Sequence, residues 1–202
     1  MIETSIGRLL VASLHQSIAE ILPTRLDFYE EWLNPTGLRD GRIGLGPLAA
    51  VLSFLRLEGE AYQRVMAQAG EYTAEWVFAD LSGLTRGVIK AAPPGIRARL
   101  VARVARSLVR RTCRTSRAGV RWRQGRGGVR IKASIFCGVR QPVEAPLCEF
   151  YAAAIRRLMR LFSLDASVET ERCLATGGAD CLMQVSVRPA DDGGTLGLAD
   201  AG

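Results

Sequence analysis

Four of the five cysteines sit in two spaced pairs. Cys137 and Cys148 stand either side of a proline-bearing loop in "SIFCGVRQPVEAPLCEF", residues 134 to 150; Cys173 and Cys181 bracket "LATGGAD" in "ERCLATGGADCLMQV", residues 171 to 185. Such thiols can ligate a soft metal, form disulfides or pack as small apolar groups. The second pair is symmetrical about Gly177, so a hairpin there would set Cys173 and Cys181 directly opposite, with β-carbons roughly 5 Å apart. On the strand before it Glu169, Glu171 and Cys173 fall on one face; on the strand after it Cys181, Met183 and Val185 share a face. Cys137 is expected to end a strand and Cys148 to start a helix, both on the core side. Three or four thiols and a carboxylate could then converge, a donor set that suits tetrahedral zinc. The pairs are not tight CxxC knuckles, and plain packing of small hydrophobes is the alternative reading. Cys113 sits among arginines without a partner in sequence and reads as incidental.

The elements that must position these residues are legible from periodicity. "IGRLLVASLHQSIAEIL" has helical spacing and stops at Pro23, and "DFYEEWL" is a second helical piece closed by Pro35 and Gly37. "GRIGLGPLAAVLSFLRLEG" reads as a loop and an apolar helix start; without a Walker lysine or a preceding strand it is not a phosphate cradle. "GEAYQRVMAQAGEYTAEWVFADLSGL" and "PPGIRARLVARVARSLVRRT" complete a helical layer over the first 110 residues, the latter with Ile96, Leu100, Val104 and Leu108 on its expected apolar face and Arg99, Arg103, Arg106 and Arg110 on another. The period then drops to two. "AGVRWRQGRGGVRIKASIFC" alternates, with Val129, Ile131, Ala133, Ile135 and Cys137 to one side and a turn at "QGRGG". "PLCEFYAAAIRRLMRLF" returns to helical spacing, and "ASVETERC" and "CLMQVSV" are strands. The order predicts an α+β fold in which an N-terminal helical layer covers a four-stranded antiparallel sheet built β-β-α-β-β. Residues 1–188 are expected to form a single ligand-binding domain, helical over 1–80, and 189–202 a disordered tail.

The C-terminal half, about residues 80–188, resembles the 4-vinyl reductase or hydrocarbon-binding domain, whose fold is related to subunits of the TRAPP tethering complex. The residues that carry the resemblance are the "SIFC" strand end, the "PLCEFYAAAIRRL" helix and above all the "CLATGGADC" hairpin. Two branches matter: the single-domain bacteriochlorophyll 4-vinyl reductase, and the sensor domain of phenol-responsive activators. The latter implies a zinc on Cys148, Cys173 and Cys181, with Glu169 or Glu171 as carboxylate; Cys137 joins the candidate ligands on its spacing alone. The sensor's glutamate lies three residues before its second cysteine, where this chain has Thr170. The resemblance also implies a homodimer.

Composition narrows the classes. The chain has 202 residues, 48% of them hydrophobic and only 6% aromatic, so aliphatic side chains must fill the core. No stretch approaches the roughly 18 apolar residues of a membrane span, and the start shows no small-residue cleavage site. We read a cytoplasmic protein, with contacts to a membrane surface as a further option; there the thiols stay reduced and a ligand set is favoured over disulfides. The formal charge is +7, and between Asp80 and Glu144 lie fourteen arginines, two lysines and no acid. A field of one sign gathers anions: an anionic ligand, an acidic partner or a membrane surface. Nucleic acid comes last, because no binding motif is present and Trp122 is the sole aromatic between Arg97 and Arg130. His15, the only histidine, lies in the first helix without a motif, which speaks against a histidine-ligated haem and against a serine or cysteine triad.

Three functions fit these readings. The chain could bind a hydrophobic small molecule between helices and sheet, lined by Trp76, Phe78, Phe136, Tyr151 and Met159. By resemblance that ligand is a chlorophyll-type tetrapyrrole intermediate, carried to biosynthetic enzymes. It could be a true vinyl reductase, although no nucleotide-cofactor motif is seen. Or it could be a zinc-containing sensor or an interaction scaffold like the tethering-complex subunits.

Overall fold

The computed structural model describes residues 6–33, 45–123, 126–139 and 141–188. The loop at Pro35 and Gly37, most of the "GRIGLGP" segment, Gln124 and Gly125 of the hairpin turn and the expected tail lie outside these residues.

Apolar side chains at three- and four-residue steps wind the first part of the chain into helices α1 (Arg8–Ile21), α2 (Leu26–Leu33), α3 (Leu45–Arg56), α4 (Glu60–Ala79), α5 (Gly83–Ala91) and α6 (Pro94–Thr112). Two hairpin strands follow, β1 (Arg117–Arg123) and β2 (Arg126–Lys132), then helix α7 (Glu149–Leu161) and strands β3 (Ala166–Arg172) and β4 (Cys181–Val187). The sheet is antiparallel in the order β1-β2-β4-β3. This is the expected α+β architecture.

Helices α4 and α7 cross at Gly70, where any β-carbon would lie 2.2 Å from the Phe150 carbonyl oxygen. The two backbones meet there because one of them has no side chain. Around that crossing one continuous core joins Leu14, Val65, Met66, Phe150, Ile155 and Leu158 from the helices to Val129, Ile131, Met183 and Val185 from the sheet. Each fully buried aliphatic chain contributes about 1.5–3 kcal/mol relative to exposure.

Two expected details are corrected. On α6 the core takes Ala98, Val101, Ala102, Ala105, Leu108 and Val109, while Ile96 is 56% exposed. A strict four-residue step advances about 40° per step around a helix, so the Ile96–Leu108 row spirals from solvent into the core. And β2 ends at Lys132 instead of running to Cys137. Ala133 turns to φ 54°, and Ile135–Cys137 form a single 3-10 turn.

Candidate metal centre

Four separate elements deliver the four thiols. Cys137 ends the 3-10 turn, and its loop is held from α3, where Arg56 Nη2 donates to the Phe136 carbonyl at 2.8 Å. Cys148 caps the N-terminus of α7; just before it, the Leu147 carbonyl accepts from the Tyr62 hydroxyl of α4 at 3.4 Å. Cys173 follows β3 and Cys181 opens β4. The loop between them folds on itself: Gly177 takes φ 88°, and the Gly178 amide and Thr176 hydroxyl both donate to the Cys173 carbonyl. The Val143 amide donates to Ala175 and ties this loop to the Cys137–Cys148 segment.

The sulfur atoms converge. Cys137 Sγ lies 3.2 Å from Cys148, 3.4 Å from Cys173 and 3.5 Å from Cys181, and Cys148 lies 3.1 Å from Cys173. All four lie within 4.8 Å of one another and all are buried. None is in a disulfide, for which sulfurs would stand near 2.05 Å. Four thiolates 2.3 Å from a zinc would sit about 3.8 Å apart, so the cluster needs to expand by only a few tenths of an ångström to hold one. The Leu174 amide already points at Cys181 Sγ, at 3.4 Å, the outer contact that orients a thiolate ligand.

Electrostatics favour a cation. Hydrogen bonds from Cys137, then Cys148 and Cys181, hold Cys173 far below the ordinary thiol range. Cys181 is lowered too, first by Cys137. Cys148 is pushed far up, first by its bond with Cys137 and also by burial. Four sulfurs in a buried volume cannot share several negative charges with protons alone; a dication would replace those protons.

The expected carboxylate is not among them. A β-bulge between Thr170 and Arg172 makes Glu171 the extra residue. Beyond the bulge the faces exchange: Arg172 pairs with Leu182, which carries Cys173 opposite Cys181 on the core side. Glu171 is exposed and accepts from Gln184 Nε2 at 2.5 Å; Glu169 is exposed as well. The donor set is therefore four thiols, with Cys137 in place of an acid. Cys113 is buried apart from it, beside the Thr115 hydroxyl at 3.1 Å.

The five residues expected to line a hydrophobic site fall into separate packing neighbourhoods. Phe136 and Tyr151 touch, with ring centroids 5.1 Å apart, and pack with Phe150 in the closed core next to Cys137 and Cys148. Met159 is fully buried. Trp76 stacks on Tyr72 at a half-exposed helix face, and Phe78 packs on Phe162 with Arg86 and Lys90 over its ring. A cavity of about 780 Å³ lies elsewhere, against the strands, and none of the five lines it. Sequence reading missed that groove and the bracing roles of Arg56 and Tyr62. For the groove the signal was present, as arginine at alternate positions of both hairpin strands. His15 bridges α1 and α2, its Nε2 2.6 Å from Glu30. Among the described residues no helix is long and apolar enough to cross a membrane.

No protein-family model and no curated protein sequence matches the chain. Solved structures do share its fold. An H-NOX protein from S. oneidensis in the Fe(II)NO ligation state aligns at TM-score 0.59 and 10% identity, over 91% of this chain and all of that one. The phenol-responsive sensory domain of the transcription activator PoxR, with phenol, aligns at TM-score 0.50 and 13% identity, over 71% and 74% of the two chains. A trafficking protein particle complex subunit 3 from Naegleria fowleri aligns more loosely, at TM-score 0.47 and 14% identity, over 70% and 82%. At such identities the likeness to the first two is one of fold alone.

Proposed function

We propose that this chain is a small-molecule-binding domain, sensory or carrying, whose sheet end is fastened by a structural zinc. The convergence of four buried thiols carries this reading. Cys137, Cys148, Cys173 and Cys181 would hold the ion. A four-thiolate shell has no open position, so zinc there supplies cross-linking and not catalysis, which leaves a literal vinyl reductase without a reacting group at this site. The ion would clamp together the segments that carry Phe136, Phe150 and Tyr151. An apolar ligand entering between helices and sheet must displace those rings, and the displacement would be felt at the metal. The phenol-responsive fold neighbour supports a small aromatic as the ligand class. The finer reading, a chlorophyll-type tetrapyrrole intermediate carried in pigment synthesis by a homodimer, rests on the sequence resemblance.

Native mass spectrometry of protein purified without chelator tests the metal. One zinc per chain, lost in Cys173→Ser, is expected; a metal-free mass with four reduced thiols overturns it. Ligand binding is read separately, as a rise in thermal midpoint with added phenol or with a protochlorophyll-type pigment. No shift with either overturns the binding role and leaves the zinc result standing.

A further inference from the structure

The inner face of the sheet packs on helices; a groove runs along the outer face and round the edge strand β1 to Arg106 of α6. Strand alternation sends Arg117, Arg121, Arg123, Arg126 and Lys132 outward, away from the core. They surround the cavity of about 780 Å³, within the range of small-molecule sites. None of these five has an ion-pair partner among the described residues. The pairing makes matters worse for the bare protein: Arg117 stands directly opposite Lys132, and Arg123 opposite Arg126. Like charges facing across a ladder destabilise it, so folding alone does not explain them.

Between those two cationic pairs the floor is glycine, Gly119 opposite Arg130 and Gly128 opposite Arg121. Packing does not demand glycine here. A β-carbon on Gly119 would meet nothing within 4 Å, and one on Gly128 would meet the flexible tip of Leu182 at 3.1 Å and, in ordinary contact, the Met183 carbonyl oxygen at 4.0 Å. The glycines keep a trough open. At its far side the buried carboxylate of Asp180 takes the Nε of Arg130 and, at 3.3 Å, an Nη of Arg172. Both guanidiniums are thereby fixed at the trough's edge, and Arg130 bonds through Nε, leaving its terminal nitrogens to point elsewhere. Around the edge strand, Trp122 lines the same cavity, and its buried indole N–H has no acceptor among the described residues.

We propose that this groove binds a small oligophosphate, a ligand with at least three phosphate charges in nucleotide-sized volume. Guanidinium forks recognise phosphate oxygens in bidentate fashion, and a ligand of one or two charges would leave most of the cations facing one another. A nucleic-acid strand is disfavoured because the outward floor offers Gly119, Gly128, Leu182 and Gln184, and the one aromatic of the lining, Trp122, has its ring packed against Gly127 round the edge strand, which leaves no row of aromatic platforms for successive bases. A membrane is disfavoured because the face is concave and the exposed large apolar side chains, such as Phe54, Leu84 and Ile96, lie on helices.

The test is calorimetric titration of the full chain with inorganic tripolyphosphate, at low and at physiological salt. One saturable site per chain is expected, weakened at least about tenfold by Arg121→Ala combined with Arg126→Ala and unchanged by Arg160→Ala on α7. Thermal melts of the double variant check folding, and its midpoint should rise, because the Arg123/Arg126 like-charge pair is removed. Absence of a saturable site, equal weakening by Arg160→Ala, or a ten-nucleotide single strand or anionic vesicles bound a hundredfold more tightly than tripolyphosphate would each overturn the proposal.

Discussion

The two faces of one end of the sheet make opposite demands. On the inner face Cys173 and Cys181 meet Cys137 and Cys148, all buried, and together they call for a cation. On the outer face of the same strands, one residue away, the neighbours are Arg172 and Leu182, and beyond them Arg130, Arg126 and Arg121; this face calls for an anion. Asp180 immediately precedes Cys181 and reaches the groove's arginines. A strand's period of two is enough to build both, and the difference lies in burial. Inside, an unneutralised charge is intolerable, so the proposed metal would be bound as part of folding. Outside, water screens the charges, so a ligand in the groove would bind optionally and reversibly.

That difference is broken most directly at Cys148. In Cys148→Ser the proposed zinc site loses a ligand, and metal binding that would be folding free energy is lost with it. The thermal midpoint should fall by more than about 10 °C for a chain of this size, and chelator should add little further. The wild type should fall by a comparable amount with chelator. A serine variant within 2 °C of wild type would reduce the cluster to packing.

Acid and base should then separate loaded from metal-free protein. Cys173 is held low by hydrogen bonds from its three partners. A depressed group gives stability present above the unfolded thiol value, about 8.5, and lost as pH falls through the folded value. Cys137 and Cys148 are pushed up; raised groups give stability present below about 8.5 and lost as pH rises. Cys181 is held low as well, so metal-free protein should gain stability as pH climbs from 7 to about 8.5 and weaken from there towards 10. Zinc removes that decline, because protons compete with the ion for every thiolate. Loaded protein should hold its midpoint on that climb and release zinc as pH falls below 7. Parallel melting curves for the two forms would contradict the assignment.

The outer face should show a smaller effect of the other sign. Arg126→Thr removes one member of the Arg123/Arg126 pair, which should stabilise the protein by about 0.2–1 kcal/mol, or roughly 1–3 °C, while weakening tripolyphosphate. A drop in midpoint would mean that this arginine serves the fold.

How much of this was legible beforehand follows from where local rules were broken. The α+β order, the helical layer and the Cys173/Cys181 juxtaposition follow from periodicity and from symmetry about Gly177. The strand end at Ala133 does not, because nothing in "RIKASIFC" marks a non-glycine residue at φ 54°. The α6 stripe was misplaced because alanines, which carry little hydrophobic signal, form half its core face. The closed packing around Phe136 and Tyr151 was hidden because aromatic type identifies a buried ring without saying whether space is left beside it. The outward arginines were visible but were read as one belt with the helix, since only the register shows which of them face each other.

The smallest expected effect is the most specific about the thiol site. Alternation counted without interruption places Glu171 beside Cys173; the bulge removes it. Glu171→Gln should leave one zinc per chain and change stability by no more than about 0.5 kcal/mol, since it alters only an exposed contact with Gln184. Deleting Glu171 outright is a sharper version. Thr170 opposite Met183 and Arg172 opposite Leu182 already flank the extra residue, so its removal leaves a regular ladder with Cys173 still opposite Cys181. Zinc retention in the deletion, read by native mass spectrometry, follows from four thiols and a bulge. Loss of zinc in both variants would instead return the carboxylate to the ligand set and would require Cys137 to be a bystander, which its sulfur, 3.5 Å or less from the three others, argues against.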